Sequence, residues 1–264
     1  MNIIVCVKQV PGTNEVKMNK ETNTIIREGV EAIINPFDTY AVEEGLRLKD
    51  RFGGKVTALS MGIPAVAELL KETVALGVDD TVLLSDRAFA GADTLATSYA
   101  LSMGINKIGE YDLIICGKQA TDGDTAQVGP SLAEKLGIPH TTYVRKIEEI
   151  GDGFIRCQRM TDDGYEVIEL ALPAVITVVK EIAEPRLPSI KGMMRAKKAV
   201  VTVWTADDIG ADKELCGLKG SPTQVIATFV PVHDVKSEMI EGEPDEQAKR
   251  LASTLMAMQF ETGV

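Results

Sequence analysis

Residues 111–136 read YDLIICGKQATDGDTAQVGPSLAEKL. The segment DLIICG (112–117) is a short unbroken apolar run, the pattern of a strand buried on both faces. The stretch GKQATDGDTAQVGP (117–130) is polar and rich in Gly, Asp and Thr, so it reads as a loop. SLAEKLGIPH (131–140) then takes up a helical pattern. Strand, polar loop and helix in that order form the repeating unit of a parallel α/β sheet.

The same unit recurs toward the N-terminus. NIIVCV (2–7) reads as a buried strand, and TYAVEEGLRLKDRF (39–52) as a helix stopped by Gly53 and Gly54. KVTALSM (55–61) is a strand, and Gly62 opens a turn. Residues 64–76 are helical with Gly77 as the stop, TVLLS (81–85) is a strand, and 93–108 are helical. No internal repeat is evident. Beyond about residue 145 the pattern changes. KIEEIGDGFIRCQRM, YEVIELAL and AVITVVK read as antiparallel strands, with turns at Gly151–Gly153 and Asp162–Gly164. EPRLPSIKGMMRAKK (184–198) holds two prolines and a net positive charge, and reads as an exposed loop rather than a core element. VVTVW (200–204) is one more strand. Residues 205–243 have weak periodicity, and 244–260 form a helix with Pro244 and acidic residues at its start. The expected architecture is a parallel-sheet α/β nucleotide-binding domain over 1–205, with an antiparallel extension. A C-terminal arm and helix over 206–264 would either pack on another chain or fold back on the domain.

Composition narrows the function. The chain has 264 residues, 28 basic and 39 acidic, for a net charge of −11. Such a surface repels nucleic acid and anionic membranes, while backbone N–H groups can still hold phosphate locally. Cys6, Cys116, Cys157 and Cys216 form no C-x-x-C pair and read as reduced, buried thiols of a cytoplasmic protein. His140 and His233 lack ligand spacing, which speaks against zinc. MNIIVCVKQV reads as a first strand rather than a signal peptide. No run of 18 apolar residues suggests a membrane span.

In an open parallel sheet, ligands sit beyond the carboxyl ends of the strands. The loops there are VKQVPGT (7–13), INPFDTYA (34–41), SMGIP (60–64), SDRAFAGADTLATS (85–98) and the opening stretch. Asp38 or Thr39 can cap the first helix. In the opening stretch, Gly117 and Gly123 allow close backbone approach. Asp122, Asp124 and Thr125 can cap the following helix or bond ribose hydroxyls. The N–H groups near Thr125 to Val128 can cradle phosphate. A capped turn without a ligand fits the same residues. Neither a Walker A pattern nor G-x-G-x-x-G occurs, so neither a P-loop enzyme nor a dinucleotide-fingerprint domain is supported.

VCVKQVP (5–11), INPFDTYAVEEGLRLKD (34–50), ALSMG (58–62), the 117–130 loop and EPRLPSIKGMMRAKK (184–198) together resemble the β subunit of electron transfer flavoproteins. RMTDDGYEVIELALPAVIT (159–177) resembles the family's signature segment through Arg159, Asp162, Glu166, Pro173 and Thr177. Cys157 departs from the small or aliphatic residue usual there. The resemblance runs in order from residue 3 to about 225.

It implies an adenine nucleotide α-hydrolase-like fold, and a C-terminal arm embracing an α subunit that carries FAD. It also implies an adenine nucleotide in the β subunit: AMP in ordinary members, FAD in the electron-bifurcating branch. Carried over by position, adenine and ribose contacts fall on Cys6, Asn35, Phe37 and Asp38. Phosphate contacts fall on Met61, Gly62 and the 117–128 loop, namely Gly117, Gln119, Asp122, Gly123, Asp124, Thr125, Gln127 and Val128. DGDTAQVGP and SDRAFAGADTLATS resemble the bifurcating branch, which implies FAD with NADH as donor. Asp93, Thr94 and Thr97 would then lie near the ribityl chain or flavin, unless they only cap a helix. The implied electron acceptors are an acyl-CoA dehydrogenase-type flavoenzyme and ferredoxin or flavodoxin, and no side chain is expected to act as a catalytic acid or base. In the 184–198 segment, Leu187, Ile190 and Met193 would dock on the dehydrogenase. A structural AMP-binding subunit and a stand-alone nucleotide-binding protein are the rival readings.

Overall fold

The computed structural model describes residues 1–12, 18–19, 24–25, 31–226 and 237–257. The elements, in order, begin with β1 (Asn2–Cys6), β2 (Gln9–Pro11), β3 (Met18–Asn19), β4 (Thr24–Ile25), β5 (Ala32–Ile34), α1 (Pro36–Phe52), β6 (Lys55–Met61) and α2 (Val66–Leu76). They continue with β7 (Asp80–Leu84), α3 (Thr94–Ile108), β8 (Leu113–Gly117), α4 (Val128–Leu136), β9 (His140–Gly151), β10 (Phe154–Thr161) and β11 (Gly164–Ala171). The last are β12 (Ala174–Val178), α5 (Ile190–Ala196), β13 (Thr202–Trp204) and α6 (Pro244–Ala257).

One nine-stranded sheet runs in the order β11-β10-β9-β12-β8-β1-β6-β7-β13. The seven strands from β9 to β13 are parallel, and β10 and β11 extend the sheet antiparallel from β9. The core strands are buried because both faces are covered. One face packs Ile3, Val5, Val56, Ala58 and Ile115 with Ala41, Val42 and Leu46 of α1 and Leu69 and Leu70 of α2. The other packs Ile4, Leu59, Leu84, Ile114 and Val175 with Ala100, Leu101 and Ile105 of α3 and Leu132 and Ala133 of α4. This is why NIIVC and LIICG carry apolar residues continuously rather than at every second position.

Local signals set the helix ends. Pro36 opens α1, where its missing N–H costs nothing. Gly137 closes α4 in the left-handed region (φ 65°), and its N–H reaches Ala133 O and Glu134 O. No helix among the described residues is long and apolar enough to cross a membrane.

Four expectations change. AVITV (174–178) is parallel, not antiparallel, to both its neighbours, β9 and β8. All five of its residues are buried, so it needs cover on both faces and sits inside the sheet; β11, none of whose residues is buried, takes the edge. The 184–198 segment contains the short helix α5, packed on α2, because Ser189 caps it by accepting from Gly192 N (3.0 Å). The helix predicted from residue 39 begins at Pro36, and Asp38 turns its carboxylate away from the helix end, as does Thr39, whose hydroxyl bonds Pro36 O. The compact unit extends to Ile226 rather than 205, because Ala206, Ile209 and Cys216 are buried in its core.

The second unit is Ala227–Val264. Its α6 starts at Pro244 with Asp245 and Glu246 in the first turn, and no α6 residue is buried. Ala248, Leu251, Ala252 and Leu255 recur at helical spacing. The expected span to 260 passes beyond the described residues.

Candidate functional site

The chain moves from β1 to β6 and β7 on one side, then returns to place β8 on the other side of β1. The carboxyl ends of β1 and β8 are therefore a topological switch point, the usual ligand crevice of an open α/β sheet. Cys6 lies in register with Cys116 of β8 and Leu59 of β6. Cys6, Cys116, Met61 and Val128 all join the packing on the α3–α4 face. The cysteines are free thiols. A hydrogen bond with Cys6, reinforced by burial, pushes the Cys116 thiol well above its ordinary range. Gly62 donates its N–H to Leu84 O (3.0 Å), which carries the β6–β7 pairing one residue past the end of β6.

A polar clamp joins the three segments around the crevice. Asn35 N donates to Lys8 O (2.9 Å), and Lys8 N donates to Asp38 Oδ2 (2.7 Å). The Asn35 amide donates to Gln119 O (2.8 Å) and accepts from Thr121 N (3.2 Å). Asn35 and Asp38 are only 1% and 6% exposed, so both serve as scaffolding beneath the loops. Burial pushes the Asp38 carboxyl up to about 7, against the opposing pull of the Lys8 N–H. Gly117 leaves room for this clamp: a Cβ there would lie 2.3 Å from Asp38 Oδ1 and 2.7 Å from the Phe37 carbonyl carbon. Phe37 is half-buried, and the Lys118 ammonium sits 5.9 Å from its ring and 4.9 Å from that of Tyr143.

Above the clamp runs the 120–127 loop. Gly123 N and Asp124 N both donate to Ala120 O (3.3 and 2.8 Å), forming a tight turn. Asp124 (φ 27°) and Ala126 (φ 54°) lie in left-handed backbone, and Gln127 returns to right-handed backbone just before α4. A left-handed residue followed by a right-handed one makes a concavity of N–H groups suited to an anion. Among the described residues, the N–H groups of Thr125, Ala126, Gln127 and Val128 have no hydrogen-bond partner. Gln127 does not cap the helix with its side chain. Asp122, Gly123, Asp124, Thr125 and Gln127 are exposed, and Asp122 pairs with Lys8 Nζ (2.5 Å).

The loop carrying Asp93, Thr94 and Thr97 comes close through helix packing. The Ser98 hydroxyl of α3 bonds the Ser131 hydroxyl of α4 (2.7 Å), which sets the first turns of the two helices side by side. The Asp93 carboxylate is already engaged. Its Oδ1 accepts from Leu95 N (3.0 Å) and Ala96 N (3.1 Å), and its Oδ2 accepts from Thr223 N (3.1 Å) and Thr223 Oγ1 (2.8 Å). Desolvation works against its charge, but the donors from Ala96, Thr223 and Leu95 prevail and hold its pKa below the ordinary range. Asp93 is thus a helix cap and a tether for the 221–223 segment, whereas the Thr94 and Thr97 side chains are half-buried beside it.

The docking candidates lie elsewhere on the molecule. Leu187, Ile190 and Met193 are 89%, 76% and 44% exposed. They stand on a firm mount. Gly192 abuts α2 so closely that a Cβ would lie 2.0 Å from Ala75 O, and the Arg195 guanidinium donates to Val74 O (2.9 Å) and Val78 O (2.6 Å). Arg186 forks onto Glu43 (2.8 and 3.0 Å) and reaches Asp50 (3.0 Å).

Sequence reasoning missed Lys8, Lys118 and Tyr143. Lys118 directly follows β8 and Lys8 stands two residues past β1, which is a usable signal. Tyr143 adopts φ 58° where the β9–β12 register shifts, and nothing in an aromatic residue announces a left-handed position.

Comparison with known proteins adds the family. The model of the electron transfer flavoprotein domain matches residues 22–209. The chain is 52% identical to the electron transfer flavoprotein subunit beta of Thermoanaerobacterium thermosaccharolyticum, over 97% of this chain and 98% of the relative. It is 49% identical to CarD, a subunit of the caffeyl-CoA reductase-Etf complex of Acetobacterium woodii, with the same coverage. It is 44% identical to the protein FixA of Azotobacter vinelandii, over 98% of this chain and 95% of the relative.

Proposed function

Since the chain belongs to the electron transfer flavoprotein family, as a β-type subunit that works with an α-type partner, we propose that it holds FAD in the switch-point crevice, accepts electrons from NADH there, and divides them between two acceptors. The observation that carries this reading is the concavity of four unpartnered N–H groups at 125–128, running into the N-terminus of α4. It fits a nucleotide phosphate, and Gly123 leaves open space beside it, with nothing within 4 Å of a Cβ placed there. The DGDTAQVGP wording supports FAD rather than AMP.

Bound flavin supplies the chemistry: acceptance of a hydride, and release of single electrons toward the α-subunit flavin and toward ferredoxin or flavodoxin. The chain binds and orients. The N–H groups of Thr125 to Val128 hold phosphate, with the backbone at Met61 and Gly62 on the same side; Asp124 and Thr125 face ribose hydroxyls, and the backbone at Cys6 borders the adenine side. Asn35, Asp38 and Gly117 keep the loops in place beneath it. Leu187, Ile190 and Met193 seat an acyl-CoA dehydrogenase-type flavoenzyme that takes electrons from the α subunit. The 227–264 unit reaches for the α subunit.

The test is the small-molecule content of the purified two-subunit complex after denaturation. Two FAD per complex are expected. One FAD and one AMP would overturn the FAD assignment in favour of a structural nucleotide.

A further inference from the structure

The loop proposed to receive phosphate carries two carboxylates, Asp122 and Asp124, in a protein of net charge −11. Carboxylates beside a phosphate repel it, so a nucleotide site built this way needs a counter-charge. Lys118 is the nearest cation in sequence, but its ammonium is turned toward the Phe37 and Tyr143 rings. Among the described residues, the cation bonded to this loop is Lys8, whose Nζ lies 2.5 Å from Asp122 Oδ1 across a separation of 114 residues. Its direction is built in. The Lys8 N–H is held by Asp38 and the Lys8 carbonyl by Asn35 N. Asn35 in turn grips the loop stem at Gln119 and Thr121. The base of the lysine and the stem of the loop thus share one buried clamp, and the side chain reaches from the end of β1 to the loop tip.

We propose that Lys8 is a positioning residue of the nucleotide site: by pairing with Asp122 it neutralises and fixes the loop tip, so that an adenine nucleotide carrying phosphate can settle on the N–H groups of Thr125 to Val128. The proposal rests on the nucleotide reading above. It places Lys8 on Asp122, not on the ligand.

Binding to the two-subunit complex freed of its nucleotide tests it, with FAD, AMP and adenosine as probes and calorimetry as readout. Lys8→Met is expected to weaken FAD and AMP alike, about five- to tenfold, and to leave adenosine unchanged, since the effect is charge on phosphate. The loss should shrink as salt is raised. Asp122→Asn added to Lys8→Met should restore most of the affinity, because the charge needing a partner is gone, and Lys8→Arg should bind as wild type. Hydrogen exchange at 119–128 is expected to rise in Lys8→Met. Equal loss for adenosine, or a double variant no better than Lys8→Met, would overturn the proposal. If wild type binds none of the three probes, the nucleotide reading itself fails and the proposal falls with it; if wild type binds and Lys8→Met matches it, only the role of Lys8 fails.

Discussion

Replacing Gly117 by alanine adds one methyl group at the end of β8 and tests whether the crevice floor is rigid. Gly117 has no left-handed backbone requirement, so the cost is steric. The new Cβ would sit 2.3 Å from Asp38 Oδ1, 2.7 Å from the Phe37 carbonyl carbon and 2.8 Å from Phe37 Cβ. Two of these three atoms are not the end of a flexible side chain, so the first turn of α1 must retreat. Overpacking of this kind costs about 1–3 kcal/mol. The retreat also weakens the 2.7 Å bond from Lys8 N to the Asp38 carboxyl, a hydrogen bond worth about 0.5–1.5 kcal/mol. The expected loss is therefore about 1.5–4.5 kcal/mol, below the total for a typical domain but a large share of it. Urea denaturation followed by far-UV circular dichroism measures it, with unchanged slope showing that the unfolded reference is the same. Nucleotide affinity should fall in parallel, since Asn35 and Lys8 carry the displacement to the 119–122 stem. A variant within 1 kcal/mol of wild type would refute the reasoning, because the clamp would then yield without cost.

Two further outcomes follow from other parts of the molecule. Ile190→Ala removes an aliphatic side chain worth about 1.5–3 kcal/mol when buried against a partner. It should therefore weaken dehydrogenase docking about ten- to a hundredfold while leaving assembly with the α subunit and NADH reduction intact; normal turnover at limiting dehydrogenase would remove Ile190 from that role. Burial pushes the Asp38 carboxyl up to about 7, from about 3.9 for an ordinary aspartate. The native state thus holds a proton that the unfolded chain releases, so this group's stabilising contribution is complete below pH 4 and is lost as pH rises through 7. The total is on the order of 4 kcal/mol. Asp38→Asn should flatten that part of the profile in urea midpoints taken from pH 4 to 8, and identical slopes for the two proteins would contradict the assignment.

The parallel core was legible because covered strands leave a mark in composition. LIICG and NIIVC have no polar side to show, and each is followed by a helix of the right length. The same mark was present in AVITV and was outweighed by the hairpin turns before it, since local turn chemistry does not reveal that a later strand inserts between two earlier ones. The site loops were legible as loops. The contacts between them were not, because Lys8 meets Asp122, and Asn35 meets Thr121, only after the sheet has brought β1 and β8 together. Asp93 shows the limit from the other side. Its helix-capping position is plain in ADTLATS, but the donor that fills the rest of its carboxylate, Thr223, lies 130 residues away. The helix in 184–198 was hidden by its prolines, and its anchor, Arg195, reaches carbonyls of α2 that no local pattern points to.

The mount of α5 has a consequence for encounter with a partner. A peptide loop that must order itself on binding gives up roughly 1–2 kcal/mol of conformational entropy per residue, enough to cancel what one buried isoleucine contributes. With Arg186 forked onto Glu43, Arg195 on two carbonyls and Gly192 pressed against Ala75 O, that cost is met when the chain folds rather than when the partner arrives. A small contact can then be specific and still release quickly, as an electron carrier that must serve many turnovers requires.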